Sequence, residues 1–360
     1  MRPIFAVSAL LVTAGAFAQS DIEITKPIEK NVPIHQAKPQ THGVYQSIPS
    51  QPVTLMGVNL SEQAWTKLDE RISDVAQSPS TLKAPSCEGK QVGCFNTQLG
   101  MNNVPVLNQG PHGACATFAN TAAIDAALNR GEYTSQLCHL QLGRKLEKYG
   151  YNPSGWNGSL GPIVLGQIQA FGVVSKRTEA DTGCGGATSY PSDDTLPGKE
   201  MSLKEFHEVS ESLSETIGWT SLLDIHNAFV DKTDPNHTLA AVKNSLRQKD
   251  RLTFGVILFG LDKGVAGASG EYKVENDTWV LTPEITEDIL KRKNYGGHEM
   301  IITGYNDFAV ATDPHGYQQR GLLTIRNSWG NKIGNGGDFY MSYDYFKLLV
   351  MEVQRIRGEE

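Results

Sequence analysis

The sequence lacks features that would place it in several large functional classes. It contains no run of basic residues, and its 32 Lys and Arg are outnumbered by 39 Asp and Glu, so the formal net charge is −7. Such a chain has no general attraction for nucleic acid, whose binding depends on Lys and Arg contacts to phosphate. It also has neither a metal-ligand spacing nor a phosphate-binding loop. We therefore expect no nucleic-acid partner, no metal and no cofactor.

Long apolar runs are missing as well. A membrane-spanning helix needs about 20 consecutive apolar residues, and residues 4–17 form a shorter stretch that follows Arg2. An A-x-A sequence at 16–18 completes the pattern of a secretory signal peptide cleaved before Gln19. The alternative is a buried N-terminal helix. We expect a secreted protein (extracellular, or periplasmic in transit) without a membrane partner, and the short signal peptide favours a bacterial source.

Cysteine is scarce. The chain has five, at Cys87, Cys94, Cys115, Cys138 and Cys184. In an oxidising compartment an even number can pair, and the odd one is a free thiol or an intermolecular link. Four cysteines allow three pairings. We favour Cys87–Cys94, which closes a short loop, together with Cys138–Cys184, and this choice leaves Cys115 free.

The first part of the mature chain, residues 19–86, differs in composition from the rest. Residues 19 to about 50 are rich in Pro, Gln, Lys and Ser, and we expect them to be extended or loosely ordered. Residues 43–58 alternate like a hairpin with a turn at 48–50. An amphipathic helix is predicted over 61–77, because Ser61 is a candidate N-cap and apolar residues follow at helical spacing. Residues 76–86 have the composition of a linker.

From Cys87 onward the sequence suggests one larger unit, 87–360. At 39% hydrophobic and 20% charged residues, a packed core is feasible. Helices are predicted over 114–128 (ended by Gly131), 137–149, 162–171 and 240–248. Strands are predicted over 253–259, 300–305, 321–326 and 338–343, and residues 185–235 are expected to be an insertion. A helical first half and a strand-rich second half indicate an α+β fold.

The strongest local signal is a cysteine at the start of a predicted helix. Cys115 follows a Gly-containing turn, and a helix N-terminus lowers the pKa of a thiol by stabilising its thiolate. The side-chain amide of Gln109, across the turn, and the backbone N–H of Cys115 are candidate oxyanion donors. The alternative is a buried structural cysteine.

A nucleophilic cysteine needs a base and a group that orients it. His298 follows two glycines and begins an apolar strand, which places it at a cleft edge; His315, in a turn sequence, is the competing candidate. Asn327 precedes Ser328, Trp329 and Gly330, and its side-chain oxygen could accept from the imidazole while Trp329 shields that bond from water.

These segments, in this order, resemble the papain and cathepsin family of cysteine peptidases. Residues 109–118 (QGPHGACATF) are similar to the family's Q-G-x-C-G-S-C-W-x-F, and 155–159 (GWNGS) to its G-C-N-G-G. The resemblance implies a two-subdomain fold, with a helical N-terminal and a β-barrel-like C-terminal subdomain and a cleft between them. It also implies a Cys115–His298–Asn327 triad and an oxyanion hole at Gln109 and Cys115. Substrate contacts would come from Gly158, Ser159, Gly297, Glu299 and Trp329.

The chain departs from the family pattern at four positions. His112 and Trp156 stand where the family has a disulfide, Ala116 replaces the Trp after the nucleophile, and Glu299 replaces a small apolar residue after the base. Glu299 would place negative charge near the pocket for the second residue before the scissile bond, unless it faces solvent or is ion-paired.

The resemblance further implies a monomer that hydrolyses peptide or protein substrates. Its inactive precursor would carry residues 19–86 as an intramolecular inhibitor, with the 61–77 helix packed on the enzyme. Two alternatives are a catalytically inactive papain-fold binding module and an acyl transferase or amidase that uses the same Cys–His pair.

Overall fold

The computed structural model describes residues 21–33, 50–77, 93–230, 233–261, 269–270, 277–313 and 315–358. The expected signal peptide, the turn at 48–49 and most of the expected linker therefore lie outside the described residues. The fold is α+β. None of the helices in the described ranges combines the length and apolar character needed to cross a membrane.

The helices occupy two regions, one around the segment that begins at Cys115 and one distributed along the sheet. They are α1 Glu62–Gln77, α2 Cys115–Ala127, α3 Gln136–Lys148, α4 Gly161–Phe171, α5 Lys176–Thr182, α6 Leu203–Val209, α7 Ile225–Phe229, α8 Pro235–Arg247, α9 Pro283–Leu290 and α10 Tyr343–Leu349.

The strands join into one sheet. They are β1 Ile22–Pro33, β2 Ser50–Leu60, β3 Asn96–Gln98, β4 Ile217–Leu223, β5 Arg251–Phe259, β6 Ser269–Gly270, β7 Thr278–Trp279, β8 Tyr295–Thr312, β9 Gln318–Arg326, β10 Asp338–Ser342 and β11 Val350–Gly358. The main path runs β4-β11-β5-β8-β9-β10-β7, and β2, β3 and β6 each pair with β8. The long strand β8 is therefore the hub of the sheet.

The helical subdomain is built around α2. This helix is buried along nearly its whole length and packs against helices α3 and α4 and against strands β5 and β8. Its many alanines allow this, because small side chains let neighbouring backbones approach closely while keeping high helix propensity. A second core, formed mostly by the sheet and the helices on it, includes Phe254, Ile302 and Phe339. The molecule thus has a helical half and a sheet half.

Among the differences between the observed and the predicted helix ends, two have a clear local cause. Helix α2 ends at Ala127 with Leu128 as C-cap, and Asn129 adopts the left-handed conformation (φ 54°) before Gly131 does. Asparagine tolerates that conformation better than most residues, so the helix stops before the predicted glycine. Helix α8 starts at Pro235, five residues before the predicted start, because the Asp234 side chain accepts from the backbone N–H of Asn236 and Pro235 is favoured in the first turn.

Residues 22–33, expected to be extended or loosely ordered, are extended and form strand β1. It pairs antiparallel with β2, from Ile22 opposite Leu60 to Pro33 opposite Ser50. The register shifts between Thr25 and Ile28, and this irregularity takes up Pro27, which cannot donate to a sheet ladder. β-Branched residues between the polar ones supply the strand propensity.

Helix α1 fixes the hairpin of β1 and β2 to the rest of the molecule. The Ser61 hydroxyl accepts from the backbone N–H of Ala64 at 3.1 Å, as expected of an N-cap. The stripe of Trp65, Leu68 and Ile72 is buried, and α1 packs on α7, α9 and α10.

Candidate active site

The turn before α2 brings Cys115 to the start of its helix. Gly110 has a positive φ of 58°, and the backbone N–H of Gly113 donates to the carbonyl of Trp156 at 2.8 Å. A Cβ on Gly113 would overlap the backbone of Asn157, so the two segments pack this closely only because glycine is present. Cys115, the first residue of α2, is fully buried, and it is the free cysteine of the described residues.

His298 and Asn327 come from neighbouring parts of the sheet. Nε2 of His298 lies 2.8 Å from Oδ1 of Asn327. Because an amide oxygen only accepts, this bond assigns the proton to Nε2 and leaves Nδ1 as an acceptor. Nδ1 is buried and has no hydrogen-bond partner among the described residues. The Trp329 ring is stacked on the imidazole, with centroids 4.4 Å apart and planes 21° apart, and so covers the His298–Asn327 bond. The competing candidate, His315, is exposed and lies 2.7 Å from Glu284.

The Cys115 thiol faces the chain just after His298, since the backbone N–H of Glu299 interacts with its sulfur. Backbone N–H groups of Cys115, Ala116 and Glu299 favour the thiolate, as expected at a helix start. Burial outweighs them and, with the nearby Glu299 carboxyl, raises the pKa of Cys115 to about 12. Burial likewise lowers the pKa of His298 to about 4. In this structure burial therefore favours a neutral Cys115 thiol and a neutral His298 imidazole.

Gln109 is held at each of its polar atoms. Its backbone N–H donates to the carbonyl of Ser328, its side-chain Oε1 accepts from the Ser328 hydroxyl at 2.7 Å, and its backbone carbonyl accepts from the Tyr190 hydroxyl at 2.8 Å. Nε2 is directed to two carbonyl oxygens, those of His112 at 2.9 Å and Thr54 at 3.2 Å. The amide that could donate to an oxyanion is thus oriented before any substrate arrives.

Strand β2 of the N-terminal hairpin crosses this site. The Thr54 carbonyl accepts from Gln109 Nε2 and also from Trp329 Nε1, at 3.4 Å. On one side of Thr54, the Gln51 side chain donates to the Trp329 carbonyl at 2.8 Å. On the other side, Met56 pairs antiparallel with Gly297, the residue before His298. The chain's own N-terminal strand therefore covers the Cys115–His298 pair, which explains why both side chains are fully buried.

The glycines predicted to bind substrate contact the hairpin in this structure. A Cβ on Gly158 (φ 147°) would lie 2.5 Å from Cγ of Met56, and one on Gly297 would lie 2.7 Å from its Cε. Gly296 leaves similar room for Leu55. Strand β8 begins at Tyr295. Gly296 and Gly297, which were expected to precede this strand, therefore lie within it.

An aromatic cluster occupies the position of the missing disulfide. The His112 and Trp156 rings pack edge to face with centroids 4.7 Å apart, so the two positions meet without a covalent bond. The Tyr190 ring stacks on Trp156 at 5.6 Å and meets the edge of Phe118 at 5.0 Å.

Sequence reasoning missed Tyr190, since a lone Tyr in the expected 185–235 insertion carries no local signal of a contact with Gln109. That insertion also contributes α6, β4 and α7, and β4 joins the main sheet beside β11.

The structure describes both cysteines of one predicted disulfide and one cysteine of the other. The predicted Cys138–Cys184 disulfide is confirmed. Cys94 is disulfide-bonded, whereas Cys87, its predicted partner, lies outside the described residues. Within the described ranges, no group of three or more His, Cys, Asp or Glu side chains is placed to hold a metal ion.

Neither family models nor curated proteins give a match to this chain. Among solved structures it is similar to xylellain, a cysteine protease from Xylella fastidiosa, with 19% identity and a TM-score of 0.43 over 74% of this chain and 86% of the other. It is similar to digestive procathepsin L 3 of Tenebrio molitor larval midgut, with 13% identity and a TM-score of 0.44 over 83% and 91%. Digestive procathepsin L2 of the same insect gives 15% identity and a TM-score of 0.43 over 76% and 70%. These structures, to which the chain is similar, are papain-like cysteine proteases.

Proposed function

We propose that this protein is a secreted cysteine peptidase, made as an inactive precursor, that hydrolyses peptide bonds with Cys115 as nucleophile. The observation that carries the proposal is the Thr54 carbonyl, a peptide carbonyl bound by Gln109 Nε2 beside the start of α2. A peptide bond placed in this cleft therefore meets a donor for its developing oxyanion. The buried His298–Asn327 pair next to it supplies a base of defined orientation.

The chemistry follows from the roles of four side chains. Nδ1 of His298 takes the Cys115 proton, and the thiolate attacks the carbonyl carbon, while Gln109 Nε2 and the Cys115 N–H stabilise the oxyanion. The C–N bond breaks as His298 gives its proton to the leaving amine. His298 then deprotonates a water, which attacks the thioester and releases the carboxylic acid and the thiol. Asn327 keeps the imidazole oriented throughout.

The N-terminal hairpin accounts for the inactivity of the precursor. With β2 in the cleft, substrate has no access to Cys115, and burial keeps both the thiol and the imidazole neutral. Removal of the hairpin admits water to the site. The smaller desolvation lowers the pKa of Cys115 and raises the pKa of His298, which favours the thiolate–imidazolium pair. Inhibition thus comes from the hairpin, and α1 anchors it on the sheet half.

The test uses the folded full chain with a specific protease site placed between residues 78 and 86. Before the cut, we expect no peptidase activity and slow labelling of Cys115 by an epoxide that alkylates active-site thiols. After the cut and separation of the N-terminal fragment, we expect peptide cleavage and fast labelling. The control is the same precursor with Cys115→Ala.

Each other outcome of this test contradicts the proposal. Activity equal before and after the cut rules out inhibition by residues 19–86. Intact peptides and an unlabelled Cys115 after the cut indicate a binding module. Products in which the acyl group is joined to an added amine, and not to water, indicate an acyl transferase.

A further inference from the structure

One hydrogen bond at the candidate site comes from a residue that the proposed chemistry does not use. The Tyr190 hydroxyl donates to the backbone carbonyl of Gln109 at 2.8 Å, although the two residues are 81 positions apart. Tyr190 lies between helices α5 and α6, near the start of the 185–235 insertion. Gln109 is fully buried, so its carbonyl would lose the donor that satisfies it if this hydroxyl were removed, and an unpaired buried acceptor is costly.

Aromatic rings on several sides fix the direction of the Tyr190 hydroxyl. The Trp156 ring is stacked on the Tyr190 ring, with centroids 5.6 Å apart and planes 14° apart. Phe118 and His112 meet it edge to face, with centroids 5.0 and 5.9 Å away. Aromatic pairs prefer such contacts, and the phenol oxygen is rigidly attached to the ring that they hold. Burial raises the pKa of Tyr190, so the hydroxyl stays protonated, and a donor, around neutral pH.

The carbonyl that Tyr190 binds belongs to a peptide group whose orientation is not fixed by sterics. Gly110 follows Gln109 and has a positive φ of 58°, and glycine populates both signs of φ about as readily. The same peptide group is held at its other end, since the Gly110 N–H donates to Oδ1 of Asn108 at 3.0 Å. Two hydrogen bonds, one on the carbonyl and one on the N–H, therefore select one orientation of the Gln109–Gly110 peptide.

The backbone of Gln109 sets the point from which its side-chain amide reaches the cleft. In the precursor, Nε2 is directed to the carbonyls of Thr54 and His112, at 3.2 and 2.9 Å. The Thr54 contact is lost when the hairpin leaves, and the Ser328 hydroxyl restrains the oxygen of the amide and not its nitrogen. The position of the Gln109 backbone then decides whether Nε2 stays directed into the cleft.

We propose that Tyr190 is a positioning residue for catalysis: its hydroxyl fixes the Gln109–Gly110 peptide and thereby keeps Nε2 of Gln109 directed at the oxyanion. The inference rests on the proposed function and adds a residue to its machinery. Because Tyr190 acts through Gln109, it affects the steps in which an oxyanion forms and leaves the reactivity of the Cys115 thiol unchanged.

The test uses Tyr190→Phe, which keeps the ring and removes the hydroxyl, in the enzyme cut between residues 78 and 86 and freed of its N-terminal fragment. On one peptide we expect kcat to fall about tenfold, as for a buried acceptor left unpaired, with KM nearly unchanged. A peptide aldehyde, whose adduct with Cys115 places an oxygen at the oxyanion position, should bind more weakly by a similar factor. Alkylation of Cys115 by iodoacetamide forms no oxyanion and should keep the wild-type rate.

Three further variants complete the test. Tyr151→Phe, which removes an exposed hydroxyl, is the matched control and should behave as wild type in all three measurements. Asn108→Ala removes the partner at the other end of the peptide group and leaves the aromatic rings intact. It should give the same pattern with a smaller fall in kcat, because Asn108 is exposed. In the Gln109→Ala background, Tyr190→Phe should not lower kcat further, since the two residues act as one unit.

The outcomes separate the inference from the proposed function. If the cut wild-type enzyme cleaves no peptide, the proposed function fails. If it cleaves peptides and Tyr190→Phe keeps the wild-type kcat and aldehyde affinity, the inference is wrong; should that variant not fold, the same values in Asn108→Ala overturn it. The inference is also wrong if Tyr190→Phe slows alkylation as much as it lowers kcat, or lowers kcat further in the Gln109→Ala background, because the effect would then not pass through Gln109.

Discussion

The side-chain amide of Gln109 donates to the backbone carbonyl of Thr54 across 3.2 Å, although the two residues are 55 positions apart. The same amide is oriented by the Ser328 hydroxyl on its oxygen side. The amide that the proposed mechanism assigns to the oxyanion is thus occupied by a carbonyl of strand β2. This one bond joins the proposed catalytic machinery to the proposed inhibitor.

Gln109→Ala in the cleaved enzyme should lower kcat by about 100-fold or more with a smaller effect on KM, since the lost donor acts on the oxyanion. Ser328→Ala should lower kcat less, because Gln109 keeps its amide but loses the bond that orients it. Steady-state kinetics on one peptide measures both effects. Gln169→Ala, which changes an amide on the surface paired with Trp219, is the control. A loss in KM alone would contradict the assignment of Gln109 to the oxyanion.

Gly57→Ala should make Cys115 more accessible in the uncut precursor. A Cβ at Gly57 would overlap the Lys26 carbonyl in the facing strand β1, so the hairpin has to loosen at the residue next to Met56. We expect faster alkylation of Cys115 in the uncut chain than in wild type. Gly166→Ala is the matched control, because a Cβ there meets nothing within 4 Å. Equal alkylation rates in the two variants would show that the hairpin does not control access to the thiol.

Local patterns predicted the parts of the site that depend on neighbouring residues. The Ala-rich helix that starts at Cys115, the strand that carries His298 and the N-cap at Ser61 each follow from spacing within a few residues. The candidate triad residues were found because each lies in a short motif whose order could be compared with a known family. The structure places Nε2 of His298 beside Oδ1 of Asn327 and Gln109 against Ser328, the next residue, and the catalytic roles of these residues stay a prediction.

The remaining features depend on contacts between distant segments. Strand β1 was missed because Pro27 interrupts its pattern, and only the irregular pairing with β2 makes the proline acceptable. Tyr190 lies far from the motifs in sequence, and no spacing connects it to Gln109. The high pKa of Cys115 was not predicted because it depends on burial under β2, whereas the helix N-terminus alone favours the thiolate.

The aromatic pair that replaces the family's disulfide should make a large contribution to stability. Trp156→Ala removes a side chain that is 2% exposed and contacts both His112 and Tyr190, and we expect a loss of about 3–5 kcal/mol in unfolding free energy. Trp156→Phe keeps a ring in the cluster and should cost less. Denaturant unfolding of the Cys115→Ala precursor measures both, with Trp219→Ala as the control at a less buried site. An equal, small loss for Trp156→Ala and Trp219→Ala would mean that the cluster is not a structural substitute for the disulfide.

The stability of the precursor should depend on pH through Glu352. The folded pKa of this carboxyl, about 7, lies above its ordinary value of 4.5, so its contribution is fully present below about pH 4.5 and is lost as the pH rises toward 7. Buried His298, with its pKa lowered to about 4, acts in the opposite sense and destabilises the fold as the pH falls below about 6.5.

The two effects are separated by Glu352→Gln, which keeps an acceptor for the N–H of Gly161 but has no proton to lose. In the Cys115→Ala background, we expect the melting temperature of this variant relative to the parent to rise steadily between about pH 4.5 and 7 and then to level off. Scanning calorimetry at several pH values gives the difference, and Glu287→Gln, at an exposed carboxylate, should show no such rise. A difference that stays constant over this range would mean that Glu352 is already ionised in the folded precursor, with a cation close to it.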